Sequence, residues 1–291
     1  MSKRNGRRAG ARRERPQKVR DVFVGRPFEG LADETEWVAL RELVPSATAP
    51  LRLADPAHAD REVILATVLP MAWPGLVKDD GRIMIGVQSE ARSGDLSRDL
   101  GSVLEQALET EPGSFVAVGG LPGPGPRLQD LLADGGALDA TLHQTFGFWL
   151  DGNEPDDPEV AASLERANGS ILPTARLASA QSAFWCRVAE RAHVRWVMPD
   201  DEDTALDALA RLHAAGELTL GEGTKYAGAF RAHGLLAPVW DLPRDPEPTT
   251  WEDAVAGMAK RYAEAAADTA PLTSEQRRSR DGLRGRQLTL R

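Results

Sequence analysis

The sequence predicts an α+β fold made of two similar halves, each with the element order strand, strand, helix, strand. In the clearer half, about 183–231, the β-rich runs 183–189 and 193–198 flank a polar turn and indicate a hairpin. A helix with one apolar face follows over 203–215. A weaker copy of the same order occupies about 61–118.

Short hairpin connections favour mainly antiparallel sheets, and two such halves would pack about a pseudo-two-fold axis. N- and C-terminal helices complete the fold. Asp33 and Glu36 have capping-box spacing before an apolar stripe that stops at Pro45, and Thr250 caps the last predicted helix.

Composition and the residues that break helices and strands divide the chain into five segments. An acidic, proline-containing break begins at Glu154, and Pro158 stands at the first position of the helix after it. Runs over 138–143 and 146–150 indicate another hairpin before that break. The predicted segments are a disordered basic arm (1–24), an N-terminal half (25–153), a connecting helix (154–172), a C-terminal half (173–268) and a flexible basic tail (269–291).

Charge is distributed unevenly along the 291 residues. The whole chain carries −9, residues 1–20 carry +8 and residues 271–291 carry +4, so residues 21–270 carry −21. Flexible basic arms attract polyanions, whereas an acidic body repels them. We expect the N-terminal arm to bind RNA, the ribosome or another polyanion; a solubilising role, or folding back onto the acidic body, are the alternatives. The residues that would bind are Lys3, Arg4, Arg7, Arg8, Arg12, Arg13, Arg15 and Lys18.

Composition excludes several classes of site. Cys186 is the single cysteine, which rules out an intramolecular disulfide or a multi-cysteine metal site. It alternates with Phe184 and Val188, as a buried, inert thiol on a strand would. The five histidines lack metal-ligand spacing, and no nucleophile-elbow motif occurs. We therefore expect no catalytic residues, no metal, no cofactor and no membrane span, and a cytoplasmic location by default.

Residues 119–127, the proline–glycine loop, form the most unusual segment. Gly123, Gly125 and Arg127 could cradle a phosphate, but the intervening prolines have no N–H to donate. A stiff surface loop that shapes a groove or contacts a partner is the favoured interpretation. Arg231 and His233 form a second polar pair, because both would share one face of a continuing strand; pairing of Arg231 with an acidic neighbour is the alternative.

Five runs resemble an actinobacterial family of unknown function, DUF5926. They are RPFEGL at 26–31, LPMAWP at 69–74, GLPGPGPRLQDLL at 120–132, FWCR at 184–187 and VWDLP at 239–243. Members sometimes carry labels taken from the preprotein translocase ATPase or a type II topoisomerase. The chain has neither a P-loop nor an ATPase motif, so the resemblance implies a family without an activity to transfer.

These observations predict a non-enzymatic binding or adaptor protein. Its basic arms would tether it to a polyanion, and its acidic body would present the proline–glycine loop and a groove between the halves to a protein partner. The alternative is an enzyme or small-ligand-binding protein with a site between the halves, near Arg127, Arg231 and His233.

Overall fold

The computed structural model describes residues 21–117 and 119–289. Within these residues the chain forms seven α-helices and two six-stranded sheets, which confirms the predicted α+β class. Most neighbouring strands are antiparallel, as predicted. The exceptions within the described residues are two parallel pairs, one in each sheet.

The first sheet lies in the N-terminal half. Its strands are β1 (Ala47–Leu51), β2 (Val63–Ala66), β3 (Gly75–Val77), β4 (Ile83–Gly86), β5 (Ser114–Phe115) and β6 (Thr141–Leu142). Their order across the sheet is β5-β3-β4-β2-β1-β6, with β2 and β4 parallel. The expected unit at 61–118 therefore contains an additional strand, β3, before its helix.

The second sheet contains two long hairpins and two short outer strands. Its strands are β7 (Thr174–Arg176), β8 (Ala183–Val188), β9 (Arg191–Trp196), β10 (Lys225–Ala232), β11 (Leu235–Leu242) and β12 (Gln287–Thr289). Their order is β12-β10-β11-β9-β8-β7, and β12 runs parallel to β10. The hairpin β8–β9 was predicted from two β-rich runs that flank a polar turn.

Capping residues define most helix starts. Asp95 caps α2 by accepting from Arg98 N, and Asp201 caps α5 by accepting from Asp203 N and Thr204 N. The helices are α1 (Glu34–Glu42), α2 (Leu96–Glu109), α3 (Leu128–Leu131), α4 (Pro158–Gly169), α5 (Glu202–Ala214), α6 (Glu252–Ala267) and α7 (Ser274–Arg284).

Helix α1 belongs to a core that both halves share. Trp37 is fully buried, and its indole N–H donates to the carbonyl of Gly136 at 2.9 Å. The same apolar cluster contains Ile85 from β4, together with Phe184 from β8 and Leu235 from β11. One face of the second sheet is therefore buried against the N-terminal half, so the two halves are coupled through packed side chains.

The other face of the second sheet packs against the C-terminal helices. Trp185, Val194 and Trp240 occupy opposed positions on β8, β9 and β11, and they share a buried cluster with Leu206 of α5 and Met258 of α6. Alternate residues of each strand thus enter different cores. That is why these strands are apolar on both faces.

Residues 138–150 do not form the predicted hairpin. Only Thr141–Leu142 forms a strand, paired with β1, and Gly147–Leu150 forms a 3-10 turn. The rings of Phe146 and Trp149 stack with centroids 4.6 Å apart, and Trp149 Nε1 donates to Val68 O at 2.9 Å. Phe148 between them packs against Ala66 of β2 and Met84 of β4, and this tertiary packing overrides the local strand pattern.

The predicted flexible tail over 269–291 is wrong for its described part. Thr273 caps α7, Leu283 is fully buried, and β12 extends the second sheet. Arg280 forms ion pairs with Asp203 and Asp207 of α5. Helix α7 has one buried apolar residue and is otherwise held by ion pairs, so its sequence shows no apolar periodicity. Its basic composition therefore led to the prediction of a flexible tail.

Two other predicted segments need adjustment. Helix α4 lies where a connecting helix was expected and is capped by Asp157, but none of its residues is buried and Val160 is exposed. Residues 1–20 of the predicted arm lie outside the described residues. Residues 21–24 run alongside the loop before α2, where Val24 N donates to Gly94 O at 2.8 Å. Residues 21–24, which were expected to belong to the disordered arm, are therefore attached to the folded body.

Candidate binding surface

One arginine holds the proline–glycine loop against helix α2. Arg98 Nε donates to Gly123 O at 3.0 Å, and Arg98 Nη1 donates to Pro126 O at 2.8 Å. A side chain at Gly125 would collide with this guanidinium, and a Cβ at Gly101 would lie 2.6 Å from Pro126 O. The loop therefore presents backbone carbonyls to a cation, the opposite of a phosphate cradle.

Arg127, the third residue of the predicted loop site, is bound internally. Its Nε and Nη2 donate to the two carboxylate oxygens of Asp95 at 2.8 and 3.1 Å, and Nη2 also donates to Pro27 O at 2.9 Å. This bidentate pair fixes the start of α2 to the start of α3. A ligand at Arg127 would have to displace Asp95.

Arg231 and His233 lie in the second half, and each has an acidic partner. Arg231 Nε donates to Glu202 Oε2 at 2.9 Å. His233 Nε2 lies 2.7 Å from Glu42 Oε1 of α1. Burial raises the pKa of Glu42, but the hydrogen bond to His233 and the charges of His233 and Arg41 outweigh it, so the pKa is lowered overall.

Residues 26–29 separate Arg127 from His233. Arg127 contacts the carbonyl of Pro27, and the ring of the next residue, Phe28, lies edge-on to His233 with centroids 5.6 Å apart. Gly234, at φ +83°, allows the approach of Arg26, because a Cβ there would lie 2.9 Å from Arg26 Cβ. Arg127 and His233 thus contact two neighbouring buried residues, Pro27 and Phe28.

A cleft of about 510 Å³ opens beside the proline–glycine loop. It is lined by Ala72, Pro74, residues 89–92, Gly120 and Leu121. Buried Asp99 of α2 accepts from Arg92 N at 2.7 Å and from Ser93 N at 3.0 Å. The segment that contributes residues 89–92 to the cleft is therefore anchored to α2.

Exposed apolar side chains lie in the segments that line this cleft or in contact with residues next to those segments. Met71 adjoins the lining residue Ala72, Phe115 stacks on Trp73 at 5.3 Å, and residues 22–23 pack against Gly94. Among the described residues, eight large apolar side chains are exposed. Five of them form what we call the cleft surface: Val22 (62%), Phe23 (85%), Met71 (88%), Phe115 (41%) and Leu121 (38%).

The predicted basic arm, residues 1–20, joins the described chain at Asp21, close to the cleft lining. Asp21 Oδ1 accepts from Gly94 N at 2.8 Å, two residues after Arg92 of the cleft lining. The +8 charge of residues 1–20 is thus attached at the rim of the cleft surface. Arg92 itself is partly buried, and burial lowers the pKa of its guanidinium.

Sequence reasoning identified the proline–glycine loop but missed the rest of the cleft surface. Neither Met71 nor Phe115 was predicted to belong to a binding surface. The one available signal was Met71-Ala-Trp-Pro, since an apolar loop without polar residues is unusual on a soluble protein. Met71 and Ala72 both have positive φ, +54° and +56°, which turns Met71 outward.

Cys186 is buried, as predicted. It lies in one row with His193 and Asp241 on strands β8, β9 and β11, and His193 Nδ1 is 3.0 Å from Asp241 Oδ1. Burial raises the pKa of the Cys186 thiol, and burial lowers the pKa of His193 despite the opposing charge of Asp241. A buried thiol that resists ionisation is a poor nucleophile.

Neither a group of metal ligands nor a membrane-spanning helix occurs in the part of the chain that the structure describes. Across residues 21–117 and 119–289, no three His, Cys, Asp or Glu side chains are grouped so that they could hold a metal ion. None of the helices in that part is both long enough and apolar enough to cross a bilayer.

The fold and this surface define an α+β protein with two six-stranded sheets and an open cleft beside the proline–glycine loop. The model of the family of unknown function DUF5926 matches residues 27–291, so the chain belongs to that family. No curated protein and no solved structure matches the chain.

Proposed function

We propose that this chain is a non-enzymatic binding protein of the cytoplasm that docks a protein through the cleft surface. The observation that carries the proposal is the concentration of exposed apolar side chains around one cleft. Exposed apolar clusters on a soluble protein mark interaction sites, because exposure of apolar area to water is unfavourable.

Contacts within the protein hold parts of the cleft surface in place, which indicates that the site is already formed before a partner binds. Arg98 holds the proline–glycine loop, and Asp99 holds the loop at residues 92–93. Phe115 and Trp73 stack, so neither ring has to be ordered on binding. Rigid apolar groups lose little conformational entropy when a partner binds, and this raises affinity.

The basic arm supplies the second part of the proposed function. Residues 1–20 carry +8 next to a body that carries −21 over residues 21–270. We propose that the arm tethers the protein to RNA, the ribosome or another polyanion while the acidic body remains off it. Because the arm begins at the rim of the cleft, a docked protein would lie close to that polyanion.

A small-ligand site at Arg127, Arg231 and His233 is the less favoured alternative. Each of the three side chains has an internal carboxylate partner: Asp95, Glu202 and Glu42. A ligand there would have to replace these partners and disturb the contact between the halves. Removing one member of a partly buried ion pair leaves the other without compensation, which is costly.

Variants at the cleft surface test the docking proposal. Met71→Lys combined with Phe115→Lys should abolish recovery of the bound protein from a lysate, while Val160→Lys on exposed α4 serves as the matched control. Equal recovery with all three proteins would contradict the proposal. Circular dichroism and thermal unfolding of each variant would verify that the fold is retained.

A further inference from the structure

Strand β5, which carries Phe115 of the cleft surface, is the outermost strand at one edge of the first sheet. Val116 N donates to Gly75 O of β3 at 2.9 Å, so Phe115 and Leu76 face each other as a non-hydrogen-bonded pair. The N–H and C=O groups of Phe115 and Ala117 therefore point away from β3. They form no hydrogen bond with another described residue, so this edge can accept one more strand.

The edge at residues 114–118 lacks the residues that usually protect an outer strand. Its sequence is SFVAV, without the lysine or proline that commonly prevents an edge from pairing with another chain. The chain then continues to Gly120 and Leu121, which line the cleft together with Pro74, the residue before β3. A strand added beside β5 would therefore lead directly to the cleft.

The two faces of this edge differ in what an added strand would meet. On one face, the ring of Phe115 stacks on Trp73 with centroids 5.3 Å apart. On the other face, Val116 is buried beside Val103 of α2, since a Cβ at Gly75 would contact both side chains. Alternate side chains of an added strand would thus lie beside the aromatic pair and beside α2.

The surroundings of this edge are acidic. Helix α2 has no basic residue in its last turn, where the helix dipole favours cations, and ends instead at Glu109. Glu111 follows the helix, and Asp79 Oδ1 lies 2.6 Å from the place of a Cβ at Gly113, just before β5. Glu90 lines the cleft at the other end of the edge. None of these four carboxylates forms an ion pair with another described residue.

We infer that β5 binds an extended basic segment of a protein partner by strand addition. The backbone of the segment pairs with the outward groups of Phe115 and Ala117, as when a peptide extends an exposed sheet edge. Its apolar side chains lie beside Phe115, and its lysine or arginine side chains lie near Glu109 and Glu111 at the end of α2. This inference rests on the proposed docking surface and names the chemistry of its partner.

Fluorescence anisotropy with the full chain and labelled synthetic peptides tests the backbone pairing. The probe is a short peptide of alternating Lys and Val, whose Lys side chains share one face when it is extended. Two further peptides carry N-methyl groups on all Val or on all Lys residues, which removes the N–H donors of one edge at a time. We expect saturable binding of the probe and a loss of about tenfold or more for one methylated peptide. Equal binding of all three peptides, or no binding of the probe, would overturn strand addition.

Variants of the chain test the same site. Glu109→Gln with Glu111→Gln should weaken binding of the probe about threefold or more, whereas the equal charge change Glu159→Gln with Glu165→Gln on exposed α4 should not. Ala117→Pro removes an outward N–H donor and should weaken binding about tenfold. Equal affinity of all variants would overturn the inference. If the probe does not bind but the cleft variants still lose protein recovery, this inference fails and the docking proposal stands. No binding together with unchanged recovery would overturn both.

Discussion

Ser182 Oγ lies 3.0 Å from Glu36 Oε2, and both residues are buried between the two halves of the chain. Thr35 Oγ1 lies 2.8 Å from the same Ser182 oxygen, and Arg176 pairs with the other carboxylate oxygen of Glu36. Glu36, at the end of the first turn of α1, is thus bound by Arg176 of β7 and by Ser182, which directly precedes β8. This polar cluster fixes the position of α1 within the shared core.

Replacing the buried carboxylate should destabilise the whole protein. Glu36→Gln leaves the Arg176 guanidinium without its charged partner, and we expect a loss of about 1–3 kcal/mol in the free energy of unfolding. Urea denaturation would measure it. The control is Glu159→Gln, at an exposed position on α4. An effect equal to that of the control would show that the cluster does not join the halves.

The close approach of the proline–glycine loop to α2 predicts opposite effects for two helical glycines. Gly101→Ala should cost about 1–3 kcal/mol, because its Cβ would lie 2.6 Å from Pro126 O. Gly282→Ala in α7 meets no atom within 4 Å and should stabilise by about 0.5–1 kcal/mol. Thermal unfolding would measure both. Stabilisation by Gly101→Ala would mean that the loop is not packed there.

The His233–Glu42 contact should make stability depend on pH in the acid range. The pKa of Glu42 is lowered below its ordinary 4.5, so the folded state favours the charged carboxylate. The stabilisation is present above pH 4.5 and is lost as the pH falls through the lowered pKa of the folded state. Glu42→Gln should therefore reduce stability near neutrality and converge with wild type in acid.

Urea denaturation of both proteins at several pH values would provide this comparison. We expect a difference of about 1.5–3 kcal/mol at neutral pH, as for a hydrogen bond to a charged group. A difference that persists unchanged in acid would contradict the assignment.

The arm should account for polyanion binding. Co-sedimentation of the full chain with ribosomes or total RNA should fall steeply with salt, with a log–log slope of about −0.7 for each single-strand phosphate neutralised. The matched control keeps the arm's length but replaces its eight predicted binding residues, Lys3 to Lys18, by Gln. An unchanged slope for that variant would exclude the tether.

The sequence predicted those helices and strands whose patterns lie within one short stretch of the chain. The hairpin β8–β9 follows from two β-rich runs around a polar turn, and helix α5 follows from its single apolar face. Helix α7 was not foreseen, because its stability comes from Arg280 pairing with α5 and from the single apolar anchor Leu283. Such tertiary support has no local periodicity to detect.

The cleft surface was harder to predict from the sequence than the fold. Its parts come from segments around residues 22, 71, 91, 115 and 121, which only the sheet order and the loop anchors bring together. The predicted residues Arg127, Arg231 and His233 were selected for their chemical character. Their partners Asp95, Glu202 and Glu42 are distant in sequence and could not be identified among 44 acidic residues.

Site-specific photo-cross-linking in living cells tests the central claim most directly. A photoreactive amino acid at position 71 should give a discrete covalent adduct with a protein, and the same amino acid at position 160 on α4 should not. An adduct of twice the chain's mass of 31.4 kDa would identify a second copy, and any other mass a different partner. No adduct at position 71, or the same adduct from both positions, would contradict docking at the cleft surface.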